Sequence, residues 1–403
     1  MKIGILTFHR SYNYGAFMQC YSLYTRLKAD FRGSTIEIID YMSKKSFDNY
    51  SNYFNNISNN VVKAKLSVRN ERFNESQNTL NVSSFRTVSD DYTEMINYMN
   101  ENYDAVVAGS DAIWNWVING FPNIYFLKEY KGLKFSYAAS VHGMNYQNMT
   151  EEQKQYLQDA LSDFKYIGVR DITTERMVKH ISSNLTAHHN CDPTMFLDLS
   201  EVPCDMDQLK QKLIDYGVDF SKKLVGIMAG EQIGYEIKKK YKDKIQLIAV
   251  YQPNKYADVY LYDLNPYEWS RVFSIFDVTL THFFHGTMLS LVNGTPVIPV
   301  EFINDFSDIN TTKIKDLMNR LDLSEWRFET DQRGNKITRA LYKFHLKKDT
   351  LLWNRVFDKM DELMSSDCSQ LIKDKVNKEA EAYNSFHIEL SKYINDYATE
   401  EFL

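Results

Sequence analysis

Val278 to Val300, VTLTHFFHGTMLSLVNGTPVIPV, reads as a buried strand (Val278 to Thr281), a break at His282-Phe283-Phe284-His285-Gly286, and a short apolar helix. That helix is expected to open at Thr287 and end at Asn293-Gly294. Strand, tight turn and helix together form an anion-binding shape. Gly286 lets the backbone approach a ligand, the first free N–H groups of the helix face outward, and the His285 imidazole can add a proton or a positive charge. A fold that places such a turn at a sheet edge is an α/β fold, and the rest of the chain can be read for more of the same unit.

With 403 residues the chain is too long for one ordinary core, so two domains are expected. A hydrophobic fraction of 44% and a charged fraction of 25% belong to a globular protein, not a disordered one. The net charge of −6, with both signs interspersed, argues against a nucleic-acid partner bound through its phosphates. Nowhere do eighteen apolar residues run together, and Met1-Lys2 leads straight into Ile3-Gly4-Ile5-Leu6 without a signal-peptide pattern. Cys20, Cys191, Cys204 and Cys368 are scattered, as in a reducing compartment, so a cytoplasmic location is expected.

Lys2 to Phe8 reads as a strand, Ala16 to Lys28 as an amphipathic helix, and Ile36 to Tyr41 as the next parallel strand. The loop between the first two carries Asn13, Tyr14 and Gly15 but no G-x-G-x-x-G, so it is not a dinucleotide fingerprint. It does lie at a sheet's carboxyl edge, where open α/β folds bind ligands. Ser43 to Asp90 is polar and lacks a dominant period, so it reads as an excursion over the surface with a helix over Val61 to Phe73. Tyr103 to Ala108 is a strand ending in Gly109-Ser110-Asp111-Ala112-Ile113-Trp114-Asn115. Asp111, Trp114 and Asn115 there offer a carboxylate, an aromatic face and an amide, the groups a sugar site uses.

Lys134 to Ser140 is the next strand, and Thr150 with Gln153 caps a helix running to about Phe164. The strand Tyr166 to Val169 ends on Arg170-Asp171, where a guanidinium can grip a carboxylate or phosphate with two hydrogen bonds. His188, His189, Cys191 and Asp192 are metal-ligand types, but their spacing fits no zinc pattern and Asp192-Pro193 reads as a turn, so no metal is expected. An acidic, loop-like stretch from Leu197 to Gln208 marks a domain boundary, after which strands and helices alternate again. The expected domains are 1–200, 201–345, and a helical region 346–403. Its long amphipathic segments, Thr350 to Met364 and Leu371 to Tyr397, would pack back across both domains or join two copies as a homo-oligomer.

The ordered set LTFHRSYNYGAFMQCYSLY, AGSDAIWN, FSYAAS, VRD, CDPTMFL and THFFHGT, spread over Lys2 to Pro299, resembles the polysaccharide pyruvyl transferase family. The resemblance implies two Rossmann-like domains facing each other as in a GT-B glycosyltransferase. It also implies transfer of pyruvyl from phosphoenolpyruvate to two hydroxyls of a sugar in a cell-surface polysaccharide precursor, giving a ketal. Arg170 matches the arginine of the family's V-R-E segment, and His285 with Gly286 matches S-F-H-G; Phe284 and Thr287 flank them on the donor side. Three positions depart: Ala112 stands where Gln is usual, Asp171 for Glu, and Phe283 for Ser.

On this reading His285 is the candidate acid and Asp111 the candidate base, with Arg170, Phe284, His285, Gly286 and Thr287 on the donor. Asn13, Tyr14, Gly15, Asp111, Trp114 and Asn115 form the candidate acceptor side. The expected co-substrate is phosphoenolpyruvate and no further cofactor is needed. The expected acceptor is a sugar, for which a lipid-linked oligosaccharide at the inner membrane face is one source, making the protein a peripheral one. A GT-B glycosyltransferase using a nucleotide sugar and an inactive sugar-binding protein of the same fold are the competing readings.

Overall fold

The structure, a computed structural model, describes residues 1–302, 311–330 and 350–400. The first sheet comprises β1 (Lys2–Leu6), β2 (Thr35–Met42), β3 (Val82–Val88), β4 (Ala105–Ala108), β5 (Leu133–Ala139), β6 (Phe164–Val169) and β7 (Ala187–His189). Its strands are all parallel, in the order β3-β2-β1-β4-β5-β6-β7. The second comprises β8 (Lys223–Met228), β9 (Ile245–Val250), β10 (Val259–Leu261), β11 (Val278–Thr281), β12 (Val297–Phe302) and β13 (Phe328–Thr330). It too is parallel, in the order β10-β9-β8-β11-β12-β13. Each is a doubly wound sheet whose strand order reverses at its first strand, β1 or β8, and ligands bind beyond the carboxyl ends at such a reversal.

The central strands are near-continuous apolar runs because helices cover both faces. Helix Tyr14–Asp30 is buried around most of its circumference, not amphipathic as expected, because the second domain covers its outer face. Phe17 and Tyr21 meet Tyr267 edge-on at 5.4 and 5.1 Å, and the Tyr14 hydroxyl reaches the Leu264 carbonyl at 2.7 Å. The two domains therefore share one apolar cluster, in which aromatic contacts fix their relative position.

The surface excursion expected over Ser43 to Asp90 is instead two helices, Lys44–Asn55 and Asn60–Gln77, followed by β3. The second contains the helix expected over Val61 to Phe73 and buries only Leu66, Phe73 and Ser76; the first escaped the sequence reading because it buries no residue. Likewise β7, which precedes the turn read at Asp192-Pro193, is not read as a strand in the sequence: it is an edge strand with no fully buried residue. The capping box of helix Glu151–Ser162 is present in both directions between Thr150 and Gln153.

Helix Thr350–Ser365 lies under the second sheet through Trp353, Val356 and Met360. The expected final segment breaks into helices Ser369–Ala380 and Tyr383–Glu400. The last returns to the first domain, where Phe386 meets Tyr137 at 4.9 Å and the Tyr383 hydroxyl donates to Asp30 at 2.8 Å. The expected boundary at 345/346 lies outside the described residues. Among those residues no helix is long and apolar enough to cross a membrane.

Candidate functional site

The carboxyl ends of β4, β6, β7 and β11 bring Asp111, Arg170, Asp192 and His285 together from 174 residues of sequence separation. Arg170 follows β6 and is 1% exposed. It donates from Nη1 to Asp192 Oδ2 at 2.8 Å and from Nη2 to Asp111 Oδ1 at 3.2 Å. Its Nε has no hydrogen-bond partner among the described residues. Both ends of the fork are thus taken by aspartates. The sequence expectation of a guanidinium open to grip a donor is corrected: Arg170 holds Asp111 and Asp192 in place, and Phe284 covers it with its ring 4.9 Å away.

His285 lies in the first turn of helix Phe284–Val292, which opens three residues earlier than expected. Thr281 Oγ1 accepts the Phe283 N–H at 2.9 Å and lets the chain turn at once into the helix. Gly286 is required there, because a β-carbon would stand 2.7 Å from Thr281 Oγ1. Phe283, at the N-cap, provides no side-chain acceptor, so the helix start keeps N–H groups available for an anion. His285 Nε2 is 3.8 Å from Asp192 Oδ2 and makes no hydrogen bond among the described residues. Across the domain boundary Gly15 packs directly on its ring: a β-carbon at residue 15 would fall 2.1 Å from Nδ1.

Lys313, which sequence reasoning missed, completes the cluster. It opens helix Lys313–Arg320, with Thr312 as N-cap, and its ammonium stands 4.9 Å from the Phe284 ring that also faces Arg170. No carboxylate lies within ion-pair distance among the described residues. A cation in the first turn opposes the helix dipole, and that local conflict is the signal that could have found it. His142, also missed, is exposed beyond β5, in a left-handed conformation (φ 44°) steadied by its N–H on Ser140 Oγ at 3.0 Å.

The charges shape each other. Burial would raise the Asp111 carboxyl, but Arg170, Lys313 and His285 outweigh it and hold it far below the ordinary carboxylate range. Asp192 is lowered in the same way by Arg170 and His285 against its own burial. Burial pushes His285 down to about 4, although Asp192 and Asp111 pull the other way. Burial, helped by the Arg170 charge, brings Lys313 down to about 8. The Lys313 ammonium in turn keeps the exposed His142 ring below its ordinary value. At neutral pH the site without a ligand therefore contains ionised Asp111 and Asp192, charged Arg170 and Lys313, and neutral His285. At rest His285 therefore lacks the proton that a candidate acid must deliver, and Asp111 is ionised and paired with Arg170.

Several expected acceptor residues, and Thr287 of the expected donor side, have structural tasks. Trp114 is fully buried and donates its indole N–H to the Tyr125 carbonyl at 3.2 Å, so its face is not offered to a sugar. Asn115 caps Val117 and Ile118 and donates to the Val141 carbonyl, and Asn13 caps Gly15 and Ala16. Tyr14 is a joint between the domains, and Thr287 donates to the Phe283 carbonyl at 3.1 Å. His188, His189 and Cys191 meet three different groups, the Tyr166 ring, Glu379 and the Tyr137 hydroxyl, while Asp192 takes Arg170.

Next to this cluster a cleft of 610 Å³ opens between the domains. Tyr12, Tyr50, Tyr53, Phe54 and Arg69 line it from one side, and Tyr251, Gln252, Pro253 and Phe283 from the other.

Comparison with known proteins agrees with the architecture. A UDP-N-acetylglucosamine 2-epimerase from Methanocaldococcus jannaschii superposes with a TM-score of 0.53 at 10% identity, over 91% of this chain and 93% of that one. A Listeria monocytogenes protein assigned to the UDP-N-acetylglucosamine 2-epimerases gives 0.54 at 8% identity, over 98% and 97%. These likenesses show the fold, two Rossmann-like domains of the GT-B kind. No curated protein matches the sequence. The model of one family, polysaccharide pyruvyl transferase, matches residues 13–302, which span β2 to β12 and nearly all of the site described above. The chain belongs to the polysaccharide pyruvyl transferase family.

Proposed function

We propose that this protein transfers the pyruvyl group of phosphoenolpyruvate to two hydroxyls of one sugar residue in a polysaccharide precursor, releasing phosphate and leaving a pyruvate ketal. The observation that carries this reading is the meeting of Lys313, His285 and an uncapped helix start beside the Asp111–Arg170–Asp192 triad, all but Lys313 within the span matched by the family.

Phosphoenolpyruvate carries a carboxylate and a phosphate. Lys313, the N–H groups at the start of helix Phe284–Val292, and His285 would receive them, while Arg170 keeps the two aspartates ionised and fixed. The donor's charge favours protonation of His285, so the proton needed at the methylene carbon is taken up as the donor binds. Transfer of that proton makes C2 electrophilic. One sugar hydroxyl adds to C2, phosphate leaves with the C2–O bond electrons, and the neighbouring hydroxyl closes the ketal. The two hydroxyl protons pass to the emptied imidazole and to the departing phosphate. The acceptor would be a lipid-linked or free oligosaccharide of a capsule or exopolysaccharide, met from the cytoplasmic side, and no step requires another cofactor.

The test is phosphate release from phosphoenolpyruvate with a panel of galactosides, glucosides and N-acetylhexosaminides, with mass spectrometry of the sugar product. Acceptor-dependent release with a pyruvyl mass gain is expected. Turnover with a nucleotide sugar and none with phosphoenolpyruvate would replace this reading with glycosyl transfer.

A further inference from the structure

The donor handling proposed above uses none of the residues that line the interdomain cleft, and its walls have a distinct chemistry. Tyr12, Tyr50, Tyr53, Phe54, Tyr251 and Phe283 present aromatic rings, while Asn49, Asn70 and Gln252 present amides and Arg69 a guanidinium. From these observations we infer that the cleft is an oligosaccharide-binding groove, which holds the sugar residues adjoining the one that is modified and makes the enzyme select a chain over a monosaccharide. The inference rests on the proposed transfer to a sugar and adds the site, its residues and the length of acceptor that it takes.

The walls are built to stay open. Tyr12 meets Tyr50 at 6.4 Å, and Tyr251 meets Phe283 at 6.4 Å, so aromatic pairs stand on each side. The Tyr251 hydroxyl donates to the Tyr12 carbonyl at 3.2 Å, which pins the two sides together at one end. Arg69 lies over the Tyr251 ring at 4.5 Å and donates to the Tyr251 carbonyl at 3.2 Å, a contact that orients it and leaves further N–H groups for a ligand. Tyr251 itself has a left-handed backbone (φ 67°), an unfavourable conformation for a large side chain that is retained at this wall.

Aromatic faces with amides between them complement the apolar CH faces and hydroxyl edges of pyranose rings. An aliphatic lipid chain would need neither the amides nor the guanidinium. Clefts that hold drug-sized ligands measure roughly 300–1,000 Å³, so 610 Å³ leaves room beyond one hexose. The cleft is also continuous with the charged cluster. Phe283 lies two residues before His285, Tyr12 three before Gly15, and Tyr50 is close enough to Ser11 and Asp111 to feel both. A sugar chain in the groove would therefore deliver its end residue to the donor.

The experiment measures binding by calorimetry in the absence of phosphoenolpyruvate. The probes are mono-, di-, tri- and tetrasaccharides of the galacto, gluco and N-acetylhexosamine series, with a short isoprenyl phosphate and a nucleoside diphosphate as competing occupants. Tyr53→Ala and Asn49→Ala are the variants, because both side chains are exposed and neither belongs to the charged cluster. A trisaccharide or longer is expected to bind at least tenfold more tightly than its monosaccharide, and Tyr53→Ala to lose roughly tenfold of that affinity. Phosphoenolpyruvate binding should be equal in wild type and both variants. Equal affinity for mono- and trisaccharide, an unchanged Tyr53→Ala, binding of the isoprenyl phosphate or nucleotide alone, or no sugar binding in any series would overturn the inference. Phosphate release measured in parallel separates the outcomes: its absence strikes the proposed transfer and leaves a sugar-binding groove standing.

Discussion

Gly15, at the start of a first-domain helix, lies so close to His285 of the second domain that a β-carbon at residue 15 would sit 2.1 Å from the imidazole Nδ1. The glycine is thus explained by a close approach and not by its backbone conformation. Gly15→Ala must push the ring or part the domains. A displacement of about 1 Å in a catalytic group can cost roughly 100-fold in rate, so kcat is expected to fall by that order while the protein still folds. Circular dichroism and steady-state phosphate release would check this; an unchanged kcat would place the His285 ring outside the chemistry.

Arg170→Lys tests the triad. A lysine keeps the charge but cannot bridge Asp192 and Asp111 at once, so one buried carboxylate is left unpaired. Breaking a buried pair typically costs about 3–5 kcal/mol, and both the thermal midpoint and the use of phosphoenolpyruvate are expected to drop. Weaker donor binding with an unaltered midpoint would instead mean that Arg170 touches the donor directly.

Lys313→Met should raise the KM for phosphoenolpyruvate by about tenfold or more, the scale of one lost charge-assisted contact. A second readout is independent of turnover. Because the Lys313 ammonium is the first cause that holds His142 down, the variant should titrate His142 at a higher pH in two-dimensional NMR. No movement of the His142 resonance would separate Lys313 from the site.

Donor binding should be coupled to proton uptake. His285 is neutral in the empty site near pH 7, with a pKa of about 4, and the donor's charge favours its protonated form. Calorimetry in buffers of different ionisation enthalpy is expected to show protons taken up on binding, and His285→Ala to abolish most of the uptake. Single-turnover rates complete the picture: if His285 delivers the proton, His285→Lys should fail nearly as badly as His285→Ala. A lysine of ordinary pKa, about 10.4, supplies charge but is a poor acid near neutrality.

The same residue gives a stability prediction. Unfolded, His285 takes a proton near 6.5, and folded only near 4, so its contribution is complete above 6.5 and is lost as pH falls towards 4. The thermal midpoint should decline over that window less steeply in His285→Gln than in the wild type. Identical slopes would mean that the buried imidazole is not what makes the fold sensitive to acid.

Much of the architecture follows from local pattern alone. β11 was legible to the residue, since an apolar run closed by His-Phe-Phe-His-Gly can be little else, and the Thr150–Gln153 capping box needs only short-range hydrogen bonds. The alternation of strand and helix determined two parallel sheets, and the ordered motifs determined the family. The amphipathic signal failed where tertiary contacts replaced solvent: helix Tyr14–Asp30 is covered by the other domain, and Trp114 turned inwards to the core. Which side chains meet was decided only by folding. Arg170 reads as a free fork in sequence, because nothing local reveals that Asp111 and Asp192 arrive from two other strand ends to occupy it. Lys313 enters the site from beyond β12, and the aromatic groove exists only where both domains face each other. Burial is likewise a property of the whole molecule. Composition determines that His285 can carry a proton; the domain closing over it, through Gly15, decides that it rests without one.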